Sequence, residues 1–315
     1  MRTTAALPVP AAPARSRGRA RAAAWLGPDW RLGYLFVLPV VALVLALVAY
    51  PFVSAIYLSL TRKYVGLPAV FVGLDNYVRL AGDGFFRRAV VNSFIFTFTS
   101  VALKFALGMV MALALTAPIR FRSALTGILL VPWVAPTVVS ALNFLWIYDY
   151  SLGVLNYLLV RVLGVLPQGV GWLSEPGTAM ASVIAVNVWR GFPFFGLSFL
   201  AGMKAIPAEL YEAAAVDGAG AWQRFRHVTL PGLRTIALVV VLLSTIWTFN
   251  DFQIVYILTR GGPGGATQVL PVFTYEVAFG AQRLGEAAAV ALTMLPPLAV
   301  VIVLLSRFMR RGAGR

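Results

Sequence analysis

Cysteine is absent from the 315 residues of this chain, and charged residues make up only 12% of them. Without cysteine there is no disulfide framework, no thiolate metal site and no thiol nucleophile. A soluble domain has about a quarter of its residues charged, whereas here 60% of the residues are hydrophobic. The composition therefore indicates a membrane protein and excludes an ordinary soluble domain.

Residues that carry catalysis are also scarce. His227 is the single histidine, which cannot form a metal cluster, and we expect it to be a surface residue. A phosphate-binding Gly-x-x-x-x-Gly-Lys-Ser/Thr loop needs a Gly-Lys pair, and the chain contains none. There is also no Ser/His/Asp set, no His-Glu-x-x-His motif and no pair of carboxylates within an apolar run. We therefore expect no enzyme, no metal site and no cofactor in this chain.

Six apolar runs are long enough to cross a membrane, which takes about 20 residues. They lie near 33–57, 92–117, 125–147, 178–203, 234–257 and 286–307. The predicted fold is an all-α membrane protein with six transmembrane helices, in a domain over residues 32–309. A disordered basic tail is expected at 1–31, since this stretch can bury little apolar surface, and a short basic tail is expected at 310–315. The first run begins too late and is too long for a cleaved signal peptide, so it is expected to stay as an anchor.

Lys and Arg predict the orientation of these spans. Sixteen of the 26 lie in the tail 1–31, in the stretches 118–124 and 204–234, and at the C-terminal end from Arg307 onward, and eight are spread over longer loops on the other side. Lys104 and Arg190 fall within apolar runs. Because cytoplasmic loops carry the excess of positive charge, both termini and the 204–234 stretch are predicted to be cytoplasmic. This asymmetry explains the net charge of +15 better than nucleic-acid binding does.

The stretch Pro207–Pro231 is polar between two apolar runs. Pro207 suits the first turn of a helix, and Ala213, Ala214 and Ala215 favour helix strongly. Gly218 and Gly220 can end that helix, because glycine adopts the left-handed cap conformation at little cost. A second helix can then carry Trp222, Phe225 and Val228 on one face. The pattern predicts a helix, a glycine turn and another helix between two membrane spans.

This stretch resembles the EAA loop of the membrane subunits of binding-protein-dependent ABC importers. The residues that carry the resemblance are Glu212, Ala213, Ala214, Asp217, Gly218, Ala219, Val228, Leu230 and Pro231. The resemblance implies the core of a type-I importer permease. It also implies that Glu212, Ala213, Ala214, Asp217, Gly218, Ala219, Leu230 and Pro231 dock on an ATPase in another chain.

Two outer segments extend the resemblance to roughly residues 33–307. Gly73-Leu-Asp-Asn-Tyr77 reads as a short amphipathic segment, and Gly261-Gly-Pro263 as a glycine–proline turn. In this order both are similar to segments of permeases from carbohydrate-importing ABC systems, of the maltose and glycerol-3-phosphate type. A sugar is therefore the cargo that the resemblance implies.

Polar residues in the fourth and fifth apolar runs indicate a path for a solute. Each run has four residues at the offsets i, i+3, i+4 and i+7, which share one face of a helix: Asn187, Arg190, Gly191 and Phe194, then Ser244, Trp247, Thr248 and Asp251. Polar groups within a span usually face an interior cavity, and mixed polar and aromatic surfaces suit sugars. Solute contacts of maltose-type permeases come from the same stretches, but Arg190, Thr248 and Asp251 depart from that type. Direct pairing of Arg190 with Asp251 is the competing interpretation.

The resulting hypothesis is a permease subunit in a prokaryotic cell membrane. It implies four kinds of partner: a second related permease, two ATPase subunits that bind ATP and Mg²⁺, an extracytoplasmic solute-binding protein, and membrane lipid. One alternative is a secondary transporter driven by an ion gradient, which would require broken helices and acidic ion sites at mid-membrane. A membrane-embedded enzyme is a further alternative, for which no catalytic constellation is present. The role of Lys104 stays open.

Overall fold

A computed structural model describes residues 30–117 and 120–312, with side chains from 32 to 308. The tail predicted at 1–31 lies almost entirely outside the described residues, and so do residues 313–315. The chain divides into two units, 1–55 and 56–315. The first contains α1 (Trp30–Val44), a π-helical turn (Leu45–Ala49) and the start of α2 (Tyr50–Ser59), whose last four residues belong to the second. The exposed apolar side chains of the first unit suit a helix surrounded by lipid.

The second unit is helical apart from a small hairpin. The longest helices are α4 (Gly84–Thr116) and α8 (Pro176–Lys204). The remaining elements, in chain order, are β1 (Thr61–Arg62), β2 (Val70–Phe71), α3 (Asp75–Gly82), α5 (Arg122–Val134), α6 (Thr137–Ile147), α7 (Val154–Asn156), α9 (Ala208–Val216), α10 (Ala221–Arg224), α11 (Leu230–Gly232), α12 (Arg234–Phe249), α13 (Gln253–Thr259), α14 (Leu270–Tyr275), α15 (Leu284–Thr293) and α16 (Leu295–Gly312). Further π-helical turns cover Tyr157–Val162, Phe225–Thr229 and Glu276–Gly280.

The described residues contain four helices that are long and apolar enough to span a membrane, or six if each of two bent pairs forms one span. The third predicted run is one such pair, because α5 and α6 meet at 93°. Pro136 stands at that junction, where it cannot continue the hydrogen bonding of α5. The second pair, Ala221–Gly232 with α12, bends by 65°. The last helix runs to Gly312, past the predicted boundary at 309.

The core of the second unit is built where α4 crosses α8. Phe195 and Phe199 of α8 are fully buried there, against Phe105 and Met111 of α4. A Cβ atom on Gly108 would lie 2.3 Å from Phe195 Cβ and 2.9 Å from Gly196 N, so only glycine fits at this crossing. Small residues allow helix backbones to approach closely within a membrane, where packing rather than the hydrophobic effect holds helices together.

Substituting Gly108→Ala is therefore expected to destabilise the protein. The added methyl group must push α4 away from α8, and overpacking of this kind costs about 1–3 kcal/mol. The measurement is the thermal unfolding of the detergent-solubilised protein. Gly127→Ala in α5 is the matched control, since a Cβ atom there has nothing within 4 Å. An equal effect of the two substitutions on stability would contradict the close approach at Gly108.

The first outer segment anchors the hairpin. Asn76 is buried in α3, and its Nδ2 donates to Ser59 O at 2.7 Å and to Thr61 O at 2.9 Å. Tyr77 Oη donates to Ser59 Oγ at 2.9 Å, while Asp75 forms surface ion pairs with Arg62 and Arg79. The short amphipathic segment predicted around Asp75 is a helix, α3. Its residues Asp75, Asn76 and Tyr77 hold the chain in place after α2.

The glycine–proline turn is fixed to α4 by hydrogen bonds. Asn92 Nδ2 donates to Gly265 O at 2.9 Å and to Gln268 O at 3.1 Å. Beside it on the same helix, Ser93 Oγ accepts from Leu270 N at 2.8 Å. These bonds satisfy backbone groups that the irregular loop cannot pair by itself. The segment between α13 and α14 is therefore held against the long second span.

Candidate functional site

All eight residues of the two predicted stripes line one cavity of about 430 Å³. They are Asn187, Arg190, Gly191, Phe194, Ser244, Trp247, Thr248 and Asp251. Further residues from α4, from the α5–α6 junction and from the segment after α12 complete the lining: Lys104, Trp133, Thr137, Asn250, Phe252 and Gln253. The offsets i, i+3, i+4 and i+7 therefore identified side chains that the tertiary structure brings together.

Asp251 reaches the cavity by a different route from its predicted helix face. The helix α12 ends at Phe249, so Asp251 lies in the turn between α12 and α13. Its Oδ1 accepts from Ile254 N at 3.2 Å, which caps the first turn of α13. Its Oδ2 accepts from Asn187 Nδ2 at 2.8 Å, which links the turn to α8. The carboxylate of Asp251 therefore links the helix break in the fifth apolar run to α8, which forms the fourth run.

The competing interpretation, direct pairing of Arg190 with Asp251, is not realised. Among the described residues the only ion pairs are Arg62–Asp75, Arg79–Asp75 and Arg283–Glu286. Arg190 Nε is buried without a hydrogen-bond partner, and so is Asn187 Oδ1. Buried polar groups in proteins are almost always paired, so these two atoms leave unmet hydrogen-bonding groups just behind the surface of the cavity wall.

Lys104 lies in the cavity wall. The sequence alone left the position of this side chain open. Its side chain is only 4% exposed, and its Nζ donates to Thr248 Oγ1 at 3.0 Å. The aliphatic part crosses Gly191 so closely that a Cβ atom there would lie 2.4 Å from Lys104 Cε. One signal did point to it, since a lysine in the middle of an apolar span is costly and marks a functional site.

Aromatic rings form another part of the cavity wall. Phe194 packs between Trp133 and Trp247, with ring centroids 6.1 Å and 5.3 Å apart respectively. Trp247 remains 55% exposed, so part of its indole is open to the cavity. Phe194 comes from α8, Trp133 from α5 and Trp247 from α12. A ligand can thus meet an aromatic surface near the polar groups on Asn187 and Arg190.

Substituting Gly191→Ala is expected to move Lys104 without unfolding the protein. The clash involves the flexible end of a side chain, so Lys104 can yield by leaving Thr248 and entering the cavity. We expect solute uptake to fall by about tenfold, the equivalent of about 1.4 kcal/mol, while protein levels in the membrane stay normal. The matched control is Gly177→Ala at the start of α8, where a Cβ atom meets nothing within 4 Å. Unchanged uptake in Gly191→Ala would contradict the role of this contact.

The predicted helix–turn–helix stretch forms a separate exposed surface. Helix α9 covers Ala208–Val216, with Pro207 at its N-cap rather than in its first turn. Gly218 has φ +76°, the left-handed conformation predicted for the turn, and Ala219 N donates to Ala214 O at 2.9 Å. Gly220 differs, because its φ of −66° is ordinary and it caps α10 instead.

The eight residues of the predicted docking surface are all accessible to some degree. Ala214 and Ala219 are half-buried, and the others are exposed: Glu212, Ala213, Asp217, Gly218, Leu230 and Pro231. Large apolar side chains are exposed beside them, including Val216 at 88% and Trp222 at 69%. Exposed apolar groups of this size beside charges mark a protein–protein interaction site more often than a solvated loop.

This surface is attached to the helices that line the cavity. Tyr211 Oη and Thr229 Oγ1 share a hydrogen bond of 3.0 Å across the two arms of the stretch. Leu233, which directly precedes α12, is fully buried against the core that holds Phe195 of α8 and Leu115 of α4. The Glu212 stretch is therefore joined to the core of α4, α8 and α12 by packed side chains as well as by the backbone.

No group of three or more His, Cys, Asp or Glu that could hold a metal ion occurs within the residues that the structure describes. His227 is exposed, and its Nδ1 lies 3.0 Å from Gln223 O.

A family model of binding-protein-dependent transport system inner membrane components matches residues 104–313. One relative is the trehalose/maltose transport system permease protein MalF of Thermococcus litoralis. It is 38% identical over 89% of this chain and 95% of its own length. Another is the sulfoquinovosyl glycerol transport system permease protein SmoG of Agrobacterium fabrum, 34% identical over 84% of this chain and 86% of its own.

Solved structures match the fold. A chain of a bacterial ABC transporter involved in the import of the acidic polysaccharide alginate superposes with a TM-score of 0.79 at 23% identity, covering 92% of this chain and 99% of that one. A second structure of the alginate transporter, in complex with a periplasmic protein that holds an alginate pentasaccharide, gives a TM-score of 0.78. At this identity the likeness concerns the architecture alone.

Proposed function

This chain belongs to the family of binding-protein-dependent transport system inner membrane components, and from that premise we propose that it carries a sugar or sugar derivative through a cell membrane. It acts as the permease subunit of an ATP-driven ABC importer. One observation carries the proposal: the cavity collects polar and aromatic groups from α8 and α12, the two helices that the exposed Glu212 surface joins. The relatives named for trehalose and maltose and for sulfoquinovosyl glycerol support a sugar as cargo.

The cavity is suited to a sugar for chemical reasons. Hydroxyl groups of a sugar can accept hydrogen bonds from the half-buried guanidinium of Arg190, which lines the cavity. The C–H faces of a pyranose can lie against Trp247 and Phe194, whose rings form one side of the cavity. Polar residues outnumber aromatic ones in this lining, which suits a ligand that carries many hydroxyl groups.

Partner chains supply what this chain lacks. ATP and Mg²⁺ would bind to two separate ATPase subunits, which dock on the surface around Glu212 and Gly218. A second, related permease would complete the pore, and a solute-binding protein would deliver the sugar from outside. The structure of the alginate transporter with a periplasmic protein supports the last of these. In a prokaryotic cell membrane, the excess of Lys and Arg favours both termini and the Glu212 surface in the cytoplasm.

In this mechanism ATPase closure moves α9 and, through Leu233 and Tyr211, the helices α8 and α12. The cavity then opens alternately to the two sides of the membrane, largely by rigid-body motion. The side chains around the cavity would hold the sugar during that exchange. Chemistry on ATP and passage of the sugar thus occur in different chains.

Copurification and reconstitution test this proposal. A tagged form of the chain, isolated from its native membranes, should bring ATPase subunits and a second permease with it. In liposomes with the binding protein, the complex should take up a sugar when ATP is enclosed with Mg²⁺, and not with a non-hydrolysable analogue. Purification as a lone chain that transports without ATP would refute the importer.

A secondary transporter driven by an ion gradient is the alternative, and one observation favours it. Asp251 lies at a helix break beside the cavity, as ion sites of such transporters do. An ionophore that collapses ion gradients separates the two mechanisms. ATP-driven uptake should persist in its presence, whereas gradient-driven uptake should stop.

A further inference from the structure

We infer that the sugar carried by this chain bears a negative charge, as a carboxylate, sulfonate or phosphate. This inference rests on the proposed function and narrows its cargo. The observation is the charge of the cavity wall. Its lining residues include two cations, Lys104 and Arg190, and one carboxylate, Asp251. With all three ionised, the wall carries one uncompensated positive charge.

Asp251 does not neutralise Arg190 by direct contact. Both of its oxygens accept hydrogen bonds from neutral donors, the Asn187 amide and the Ile254 backbone N–H. These bonds fix the carboxylate to α8 and α13, so its geometry is set by structure rather than by a cation. No ion pair joins Asp251 to Lys104 or Arg190 in the part of the chain that the structure describes.

Both cations line the cavity, Lys104 from α4 and Arg190 from α8. Lys104 reaches from α4 across Gly191, the neighbour of Arg190 in α8, and ends at Thr248. Arg190 is half-buried, and its Nε has no partner. A guanidinium presents a planar fork that fits two oxygens of a carboxylate, sulfonate or phosphate, and an ammonium adds a compact charge beside it.

A charged wall of this kind would be costly without an anionic ligand. A cation inside a membrane span is unfavourable, and intramembrane cations normally pair or mark a substrate path. A neutral sugar could accept hydrogen bonds from Arg190 but would leave its charge uncompensated. The aromatic surface of Phe194 and Trp247 favours a sugar ring that carries the anionic group over a bare inorganic anion.

A matched series of probes tests the charge of the cargo. The neutral members are glucose and maltose, and the anionic members carry a carboxylate, a sulfonate or a phosphate in place of the terminal C6 hydroxyl group. Uptake is measured in liposomes that contain the complete transporter, with its solute-binding protein outside and ATP inside. The wild type is compared with Arg190→Gln and with Arg307→Gln. Arg307 is an exposed cation near the end of α16 and provides the matched control.

The expected result is a preference of about tenfold or more for an anionic member over its neutral counterpart. Arg190→Gln should remove most of that preference, and Arg307→Gln should keep it. Comparing uptake among the three anionic members shows whether the transporter prefers a carboxylate, a sulfonate or a phosphate. Because the binding protein is the same throughout, a difference between the variants reports on this chain.

Two results would overturn the inference while the proposed function stands. One is ATP-driven uptake of neutral members alone, and the other is an anion preference that Arg190→Gln leaves unchanged. Absence of ATP-driven uptake for every member in the wild type would refute the proposed function, and the inference with it.

Discussion

Glu212→Lys is expected to leave the chain inserted in the membrane but to lower ATP-driven uptake by about tenfold or more. Glu212 is exposed on α9, so the substitution disturbs no packing within this chain. If the carboxylate pairs with a basic residue of an ATPase, the substitution places like charges against each other, which costs several kcal/mol at an interface. The measurements are uptake in reconstituted liposomes and the ATPase activity of the same preparation.

Glu212→Gln separates charge from shape in this experiment. It keeps the size of the side chain and removes the charge, so we expect an intermediate loss of uptake. Membrane levels and thermal stability of both variants should match those of the wild type. Normal ATP-driven uptake in Glu212→Lys would show that α9 does not couple the ATPase to transport.

A bulky residue at Gly218 tests the same surface through the backbone. Gly218→Leu places a side chain at φ +76°, where an L-residue is strained by about 1–2 kcal/mol. Nothing lies within 4 Å of a Cβ atom there, so the strain must be relieved by the turn itself. The turn would then hold α9 and α10 at a different angle, and coupling to the ATPase should be lost.

Gly220→Ala is the control for that substitution. Its φ of −66° suits any residue, and a Cβ atom at Gly220 would make only an ordinary contact with Gln223. We therefore expect near-normal uptake for Gly220→Ala. Equal behaviour of Gly218→Leu and Gly220→Ala would remove the backbone argument.

Removing Arg190 and Asp251 together is expected to impair transport at least as much as removing either alone. The two side chains have separate roles, because Arg190 brings a half-buried cation to the cavity wall while Asp251 joins Asn187 to the first turn of α13. A hydrogen bond to a charged group contributes about 1.5–3 kcal/mol, so each Ala variant should lose roughly tenfold to a hundredfold in uptake. The measurement is a double-mutant cycle on the initial rate of uptake.

A structural ion pair between Arg190 and Asp251 would give the opposite result in this double-mutant cycle. If Arg190 and Asp251 formed a structural ion pair, each single substitution would leave a buried charge unpaired, and the double substitution would restore part of the loss. Recovery in the double variant would therefore contradict separate roles. Unchanged uptake in all three variants would remove the cavity from the solute path. Arg307→Ala serves as the control for loss of a cation elsewhere in the chain.

The local pattern of the sequence predicted the turn at Gly218 and eight of the residues that line the cavity. Gly218 was predictable because a left-handed turn selects glycine from backbone sterics alone. The stripe from Asn187 to Phe194 was predictable because residues at helical offsets share a face, whatever the helix packs against. The family, and the six apolar runs that support it, also follow from the sequence.

Other features depended on contacts between distant parts of the chain. Asp251 was predicted on a helix face by its offset from Thr248, but α12 ends two residues earlier and Asp251 caps α13 instead. Pro136 in the third run indicates a helix break, but the angle of 93° between α5 and α6 depends on how these two helices pack. Local propensity does not contain these angles, because tertiary packing selects among several local conformations of similar energy.

The sequence by itself determined that this chain is a membrane protein with a helix–turn–helix stretch at Glu212 and polar stripes in the fourth and fifth runs, and the resemblance of that stretch to importer permeases indicated the family. Composition, periodicity and glycine sterics are local properties, so one chain is enough to read them. Only the tertiary structure decided that Lys104 faces the cavity across Gly191 and that Asp251 bonds to Asn187 rather than Arg190. Those contacts join residues 64 or more positions apart, and their geometry exists only once α4, α8 and α12 have packed together.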